Sequence, residues 1–295
     1  MARYNSCTAV AFGKLNLMLD IVGINTDGYH QLETVMQSVS LFDTLDLQVN
    51  GTGENKIFCE KAWFPTDRTN LIWKAIEAFE RYTDLKTGGI TVNVEKRLPS
   101  MAGMAGGSAD CAATLCALDT MFETNLKKKQ LFEIGAVLGA DVPFCIKGGT
   151  QLCRGVGEIM TDLALPRCAF VVVKPEVSIS TPEAFKKYDS LTNVPKCDTK
   201  AFVSRLNKGD IKGMCGKMFN ALEFAAQEKQ IHKAKDDLLG AGALGSLMTG
   251  SGSAVFGVFD HPQKAKAALE IIKNDYAQAW VCDPVTSGTQ IIKLG

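Results

Sequence analysis

The sequence predicts an α+β fold of two domains, residues 1–164 and 165–295, on three observations. Its 295 residues suffice for two domains of ordinary size. Apolar residues recur at about every second position over 9–22 and 32–49, the period of half-buried strands, so the N-terminal domain begins as a sheet. Beyond Pro166, segments with helical spacing are mixed with short apolar strands, which predicts helices packed on one face of a small antiparallel sheet.

The other elements of the first domain follow from capping residues and changes of period. Asn70 offers a cap to a segment with helical spacing, and strand alternation returns over 90–94. A loop rich in glycine and alanine then leads into a helix that opens at Ser108. Its apolar residues are expected on one face: Ala112, Leu115, Leu118 and Phe122. A helix over 127–138, a compact turn over 139–144 and a strand over 150–154 complete the domain.

The second domain is predicted to contain both strands and helices. The predicted elements are a strand over 169–173, helices over 182–188, 198–206, 211–226 and 229–239, a strand over 253–259, a helix over 262–275 and two strands near 280–282 and 290–292. The last two strands are expected to belong to the small antiparallel sheet.

Composition narrows the class of partner. Lysine plus arginine equals aspartate plus glutamate at 32 each, so no net charge draws the protein to nucleic acid or a membrane surface, and a small molecule is the expected substrate. No signal pattern and no membrane-length apolar run is evident, which predicts a cytoplasmic protein, expected as a monomer or weak homodimer. The 10 cysteines are scattered without a Cys-x-x-Cys pair, so we interpret them as buried apolar groups.

Two runs of small residues indicate where phosphate could bind. Between Pro99 and Asp110, glycine and alanine precede a predicted helix, whose first N–H groups and positive dipole end suit an anion. The alternative is a mobile turn ahead of a helix. The run lacks the Gly-Lys-Ser/Thr of a Walker A loop. A second turn over 249–254 is either a tight hairpin or the matching wall of an interdomain cleft.

Three polar positions carry the remaining chemical signals. Lys14 interrupts an apolar strand, where a lysine either extends to solvent or pairs with a buried acid. Asp141 lies between a helix end and an apolar segment. Its side chain either forms a local Asx-turn or serves as a functional carboxylate. The turn Asp27–His30 is either an exposed hairpin tip or a pocket for a flat ring, with Tyr29 as a platform.

Taken in order, five segments resemble the GHMP superfamily of small-molecule kinases over nearly the whole chain. The segments are Ala11–Leu17, Asp27–His30, Lys96–Pro99, Leu138–Phe144 and Gly155–Glu158. The resemblance implies a two-domain GHMP-kinase-like fold, with an N-terminal mixed sheet and helices, a C-terminal ferredoxin-like α/β sandwich, and the active site in the interdomain cleft.

The resemblance also implies an activity. The segments are similar to members that use ATP to phosphorylate the 2-hydroxyl of a methylerythritol bearing a cytidine diphosphate group, in the non-mevalonate route to isoprenoid precursors. Mg²⁺ is expected with ATP. Two alternatives stay open. One is another GHMP kinase, similar to homoserine or mevalonate kinases, and the other is a catalytically silent nucleotide-binding module.

By resemblance, Asp141 is the base that faces the acceptor hydroxyl, and Lys14 orients it and stabilises charge on the transferred phosphoryl group. Tyr29 and Phe185 would hold the cytosine between their rings, while His30 would hydrogen-bond its edge. Two further residues are implied in substrate binding, Asn16 near the methylerythritol end and Thr181. The residues implied in ATP binding are Asn70, Lys96, Pro99, Ser100, Met101, Ala102, Gly103, Met104, Ala105, Gly106, Gly107, Ser108, Ala109, Gly250 and Gly252, with Ser108 also near Mg²⁺.

The loop departs from the pattern of the superfamily at two positions. Where Gly-Leu-Gly-Gly-Gly-Ser-Ser is usual, this chain has Gly103-Met-Ala-Gly-Gly-Ser-Ala109. Ala105 is expected to exclude the left-handed backbone conformation that glycine adopts at low cost, and Ala109 removes a hydroxyl group. The departures put individual loop contacts in doubt, and we expect backbone donors to do most of the phosphate binding.

Overall fold

A long antiparallel pair of strands organises the first half of the protein. The computed structural model describes residues 2–26 and 28–295, so Asp27 of the predicted turn lies outside the described residues. Strands β1 (Ser6–Ile24) and β2 (His30–Val49) pair along almost their whole length, as the alternating apolar pattern predicts. Their register shifts between Phe12 and Lys14 and again between Asn16 and Met18. Such bulges bend a strand and redirect its side chains.

Within the described residues, β1 and β2 belong to an eight-stranded mixed sheet. The other strands of this first sheet are β3 (Lys56–Cys59), β4 (Ile90–Glu95), β5 (Thr150–Gly155), β6 (Ile159–Leu163), β8 (Phe219–Asn220) and β12 (Thr289–Leu294). The order β12-β1-β2-β4-β3 forms the main path, with β5 and β6 extending from β2 and β8 paired to β1. The second sheet, in the order β11-β7-β10-β9, contains β7 (Ala169–Val173), β9 (Gly245–Met248), β10 (Val255–Phe259) and β11 (Ala279–Cys282).

The helices cover both sheets. They are α1 (Leu71–Thr83), α2 (Gly106–Phe122), α3 (Lys128–Ala136), α4 (Val142–Lys147), α5 (Thr181–Asp189), α6 (Thr199–Asn207), α7 (Ile211–Cys215), α8 (Lys229–Gly240) and α9 (Pro262–Ile272). None of these described helices is long and apolar enough to cross a membrane.

The central helix α2 is buried on all sides, where the sequence predicted a single apolar face. It packs against β1, α1 and α4, and its small residues Ala112, Ala113 and Ala117 are completely buried. A helix that is apolar all round belongs in a core, and alanines allow close approach of its neighbours. The helix also begins two residues earlier than predicted, at Gly106.

The second sheet separates two cores. Alternate residues of β7 point to opposite sides, as the strand period requires: Val171 packs with α8 and α9, whereas Phe170 and Val172 pack into the core of the first half. Phe202 of α6 lies in that same core. The sheet is therefore covered on both faces, and the prediction of helices on one face was incomplete.

Two predicted elements of the second half were wrong. The helix predicted over 211–226 is interrupted after α7, because Asn220 instead caps a short 3₁₀ turn through Leu222 and donates to the carbonyls of Met248 and Gly250. The final strand β12 was expected in the small sheet, but it pairs antiparallel with β1. Local periodicity reveals that a strand exists and does not reveal its partner.

Burial explains the cysteines. All 10 cysteines lie among the described residues, and each is a free thiol. Desolvation raises the pKa of Cys7 to about 11 and that of Cys282 to about 12, so these thiols stay protonated and unreactive at neutral pH. Seven of the 10 are buried and act as small apolar groups, as predicted, whereas Cys59, Cys116 and Cys197 are partly exposed.

Candidate active site

Lys14 and Asp141 meet at the junction of the two sheets. The Lys14 side chain is 5% exposed, and its ammonium donates to Asn16 Oδ1 at 2.5 Å and to the Gly103 carbonyl at 2.7 Å. Its Nζ lies 3.8 Å from Asp141 Oδ2. Of the two possibilities that the sequence left open for Lys14, pairing with an acid is the one observed.

Asp141 immediately precedes a helix rather than lying in a simple turn. The sequence predicted a compact turn over 139–144, but α4 begins at Val142 with Pro143 in its first turn, a position that proline favours. Within the described part of the chain, the Asp141 carboxylate makes no capping hydrogen bond. Its side chain is 38% exposed, so the carboxylate faces Lys14 on one side and remains accessible on the other.

Asn16 is part of a buried network that holds Lys14. Besides accepting from Lys14, its side-chain amide donates to Thr34 Oγ1 at 2.9 Å, and its backbone N–H donates to Thr249 Oγ1 at 3.0 Å. Thr249 Oγ1 also lies 3.3 Å from the Gly103 carbonyl. Because Asn16 is 2% exposed, the structure gives it a clear role in fixing Lys14, whereas its predicted substrate contact stays a prediction.

The glycine loop is shaped by left-handed residues and by close backbone contacts. Gly103 has φ 70°, and a Cβ built on it would lie 2.0 Å from the Thr249 carbonyl oxygen. The loop backbone is also paired to the second half: Ser253 N donates to Met101 O at 3.2 Å, and Ala254 N donates to Ala102 O at 3.3 Å. Only glycine fits at position 103, where the two halves touch.

Ala105 has a backbone conformation that differs from the one that the sequence predicted. It adopts the left-handed conformation, with φ 59° and ψ 31°, at the position before the first residue of α2. Alanine was expected to exclude this conformation, which costs about 1 to 2 kcal/mol for a residue with a Cβ. The surrounding contacts of the loop therefore hold Ala105 in a strained conformation.

Ala105→Gly is expected to raise the free energy of unfolding by up to about 1 kcal/mol, because relief of the left-handed cost exceeds the greater freedom of glycine in the unfolded chain. Urea denaturation measures the change. Ala267→Gly, on the exposed face of α9, is the matched control and should lower stability by about 1 kcal/mol. Equal destabilisation by both substitutions would contradict the strain at position 105.

A cleft of about 400 Å³ opens in front of this loop. Its lining includes most of the predicted ATP-binding residues, from Pro99 to Ser108 with Asn70 and Lys96, together with Thr181 from α5. Ala109 lies behind the cleft surface, because its side chain is buried and its N–H donates to the Ala105 carbonyl. The N–H groups of the first turn of α2 point out of the helix at this cleft, which suits an anion.

One wall of the cleft is aromatic and was missed by the sequence reasoning. Trp63 and Phe64 line it, with the Trp63 side chain about half exposed, and their rings make an edge contact at 6.1 Å. Asn70 supports this wall by donating to the Pro65 carbonyl while its Oδ1 caps α1 at Ile72 N. The adjacent aromatic pair before a predicted helix cap was the available signal.

Lys96 lies at the floor of the cleft in a buried ionic cluster. Its ammonium donates to Asp43 Oδ2 and, at 2.7 Å, to Asp110 Oδ2. Burial opposes the charge on Lys96 most strongly, but the two carboxylates outweigh it and raise its pKa. Burial also raises the pKa of Asp110, and the charge of Lys96 opposes this rise. The predicted contact of Lys96 with adenosine stays a prediction, since two of its three N–H donors are already used.

Of the predicted base-binding residues, the structure brings His30 and Phe185 together. The His30 ring stacks on Phe185 with centroids 4.6 Å apart, and His30 Nε2 lies 2.7 Å from Asp189 Oδ1. Tyr29 is 68% exposed. A face of Phe185 is thus covered by His30, because Asp189, which the sequence did not single out, holds the imidazole there.

The turn that contains Gly250 and Gly252 completes the site from the second half. A Cβ built on Gly250 would lie 3.1 Å from Lys14 Nζ, so this turn packs directly on the ammonium. Thr181 Oγ1 and Ser251 Oγ are 2.9 Å apart, which links the turn to α5. The turn therefore packs against Lys14 and the glycine loop, and its predicted role as the wall of an interdomain cleft stays a prediction.

Comparison with known proteins shows the family to which the chain belongs. The family model of the GHMP kinases N terminal domain matches residues 70–149, and that of the GHMP kinases C terminal domain matches residues 202–278. The chain is 38% identical over 283 residues to the 4-diphosphocytidyl-2-C-methyl-D-erythritol kinase of Thermoanaerobacter pseudethanolicus, covering 95% of this chain and 97% of the relative. The enzyme of the same name from Clostridium botulinum is 39% identical over 274 residues, covering 92% and 97%.

Solved structures agree in fold. A crystal structure of 4-(cytidine 5'-diphospho)-2C-methyl-D-erythritol kinase superposes with a TM-score of 0.78 at 30% identity, covering 94% of this chain and 98% of that one. Homoserine kinase from Cytophaga hutchinsonii superposes with a TM-score of 0.80 at 17% identity, covering 99% of both chains, and shares the fold. The chain therefore belongs to the GHMP kinases and, within them, to the family of 4-diphosphocytidyl-2-C-methyl-D-erythritol kinases.

Proposed function

We propose that the protein transfers the γ-phosphoryl group of ATP to the 2-hydroxyl of 4-diphosphocytidyl-2-C-methyl-D-erythritol, giving the 2-phosphate and ADP in the non-mevalonate route to isoprenoid precursors. The relatives with this name span nearly the whole chain. The observation that carries the proposal is the pair of Lys14 and Asp141, 3.8 Å apart, beside the Gly103 carbonyl of the glycine loop.

The chemistry follows from this geometry. The helix start and the loop hold the phosphates, and the Lys14 ammonium, fixed by Asn16 and Gly103, stabilises negative charge on the transferred group. Asp141 accepts the proton of the acceptor hydroxyl. Because phosphoryl transfer passes through a loose transition state, positioning and charge stabilisation supply most of the rate enhancement.

Mg²⁺ fits the site as an ion that enters with its nucleotide. It commonly takes one or two protein oxygens and completes its shell with phosphates and water. Ser108 lies in the first turn of α2, with Oγ 3.6 Å from the position of a Cβ built on Gly139, near the turn that leads to Asp141. We therefore propose that Ser108 would supply a protein oxygen to the ion. The ion would neutralise negative charge on the nucleotide phosphates. Among residues 2–26 and 28–295, no cluster of three His, Cys, Asp or Glu side chains could hold a metal by itself.

The cytidine group is proposed to bind between Tyr29 and the α5 region. The exposed Tyr29 ring offers a stacking platform, and Phe185 with His30 forms the opposite side.

The proposed location is the cytoplasm, because free thiols at all 10 cysteines, each of them described, suit a reducing compartment.

The proposed function is tested by ADP release with three acceptors offered separately: the cytidyl diphosphate substrate, homoserine and mevalonate. Turnover is expected with the first only. Activity confined to homoserine or mevalonate would assign the chain to another branch of the superfamily. ATP binding without turnover of any acceptor would favour the silent module.

In the same assay, Phe185→Ala is expected to raise KM for the cytidyl substrate about tenfold with a smaller change in kcat, because stacking on a base is worth about 1 to 3 kcal/mol. Phe58→Ala is the matched control, since Phe58 is 54% exposed on the edge strand β3. Unchanged KM in Phe185→Ala would remove this residue from the base site.

A further inference from the structure

A buried ionic cluster lies where the two ends of the glycine loop come together. Its members are Asp43 of β2, Lys96 at the end of β4 and Asp110 in the second turn of α2, with side-chain exposures of 0%, 3% and 1%. Lys96 precedes the loop and Asp110 follows it, so the segment between them contains the entire phosphate-binding run. The cluster therefore joins chain positions on both sides of that run.

Asp43 links the cluster to the start of the glycine loop, just after β4. Its Oδ1 accepts from the backbone N–H of Arg97 at 2.6 Å and of Leu98 at 2.8 Å, while its Oδ2 accepts from Lys96. Three donors converge on one carboxylate, two of them from the backbone. This arrangement fixes the direction in which the chain leaves β4 and enters the loop.

Lys96 links the cluster to the end of the glycine loop, where α2 begins. Its ammonium donates to Asp110 Oδ2 at 2.7 Å and lies 3.4 Å from the position that a Cβ on Gly106 would occupy. It also lies 5.4 Å from the centroid of the Phe64 ring, in the aromatic wall of the cleft. One buried ammonium thus contacts the helix start and the aromatic wall, which are the two surfaces that would hold a nucleotide.

We propose that Asp43 is a positioning residue for nucleotide binding: through Lys96 and Asp110 it ties the two ends of the glycine loop together and sets the width of the phosphate cradle. The inference rests on the proposed function, in which this loop binds ATP. None of the three side chains needs to contact the nucleotide. One ammonium that bridges two buried carboxylates favours a single geometry, because displacing any member breaks a charge-assisted hydrogen bond in a low-dielectric region.

The kinetic test is Asp43→Asn, which keeps the shape of the side chain and removes its charge. KM for ATP is expected to rise about tenfold to a hundredfold, because small misplacements of binding groups have effects of this size. KM for the cytidyl substrate and kcat should change much less, a split that general loss of folded protein would not produce. Asp236→Asn, at an exposed position of α8, is the control and should match the wild type.

A second arm tests whether the cluster acts as a unit. Asp110→Asn should also raise KM for ATP, and the double variant should be no worse than the poorer single variant, because both substitutions loosen the same connection. Lys96→Arg, which keeps the charge, should retain more ATP affinity than Lys96→Met. Additive effects of Asp43→Asn and Asp110→Asn, or equal behaviour of the two Lys96 variants, would overturn the proposal.

Hydrogen exchange separates this inference from the proposed function. In the protein without ligands, Asp43→Asn should speed amide exchange in residues 98–108 while exchange in β7 and α9 stays unchanged. Unchanged exchange in that loop would overturn the positioning role even if the enzyme phosphorylates its substrate normally. Where Asp43→Asn folds poorly, Asp110→Asn gives the same decision. Absence of ATP turnover in the wild type would overturn the proposed function, and the exchange result would still decide the role of Asp43.

Discussion

Lys14→Ala is expected to lower kcat by about 10²- to 10³-fold, the usual effect of removing one preorganised donor from a site where charge develops. The ammonium is held by Asn16 Oδ1 and the Gly103 carbonyl, so it is aligned before the substrates bind. KM for ATP should rise less than kcat falls, because the loop backbone still binds the phosphates. Steady-state ADP release at saturating substrates measures the change.

Two further variants separate charge from packing. Lys14→Met keeps most of the buried volume and should lose as much activity as the alanine variant. Lys147→Ala removes a lysine at the other end of α4 that pairs with Asp162 at 3.0 Å, and it should keep the wild-type kcat. Wild-type turnover in Lys14→Met would show that the ammonium does not assist the transfer.

Asp141→Asn is expected to lower activity by removing the proposed base. A general base contributes about 10²- to 10⁴-fold, and the loose transition state places the expected loss at the lower end of that range. The loss should therefore be no larger than that of Lys14→Met. A much larger loss would indicate that proton removal is well advanced in the transition state.

Gly103→Ala is expected to abolish measurable ATP binding and to lower the free energy of unfolding by about 2 to 5 kcal/mol. The added Cβ would lie 2.0 Å from the Thr249 carbonyl oxygen, and the φ of 70° adds the cost of a left-handed alanine. Either the loop or the Thr249 turn must move, and both contact Lys14 or its partners. Calorimetric titration with ATP and urea denaturation measure the two effects.

Gly240→Ala is the control for this substitution. It lies at the end of α8, and a Cβ built there meets no atom of the described residues within 4 Å. Its ATP affinity should stay close to wild type, and its stability should be equal to wild type or higher by up to about 1 kcal/mol, because alanine is the better helix former. If Gly103→Ala bound ATP as tightly as this control, the close approach of the two halves would not be needed for nucleotide binding.

Much of the fold could be predicted because it depends on local patterns. Alternation located β1, β2 and β4, and a capping asparagine located α1. The partner of β12 could not be predicted, because a strand pattern is the same whichever sheet the strand joins. Likewise, the break near Asn220 depends on carbonyls of Met248 and Gly250, which lie far along the chain.

The candidate site could also be predicted only in part, because contacts between distant parts of the chain leave little local signal. The meeting of Lys14 and Asp141 was expected from resemblance, because neither residue gives a decisive local signal. The cluster of Asp43, Lys96 and Asp110 was missed, since Asp43 and Lys96 are 53 residues apart in sequence. A charged residue between the apolar inward positions Leu41 and Leu45 of an alternating strand was the one clue to Asp43.

The chain passes repeatedly between the two sheets, and this limits how the molecule can move. After β6 it enters the second sheet at β7, returns for β8 beside β1, goes back for β9 to β11, and ends in β12, which pairs with an earlier segment of the same edge of β1. A wide rotation of one half about a single hinge would have to detach β8 or β12. We therefore expect entry and release of substrates to depend on short loop movements at the mouth, and we expect the halves, produced as separate polypeptides, not to fold independently.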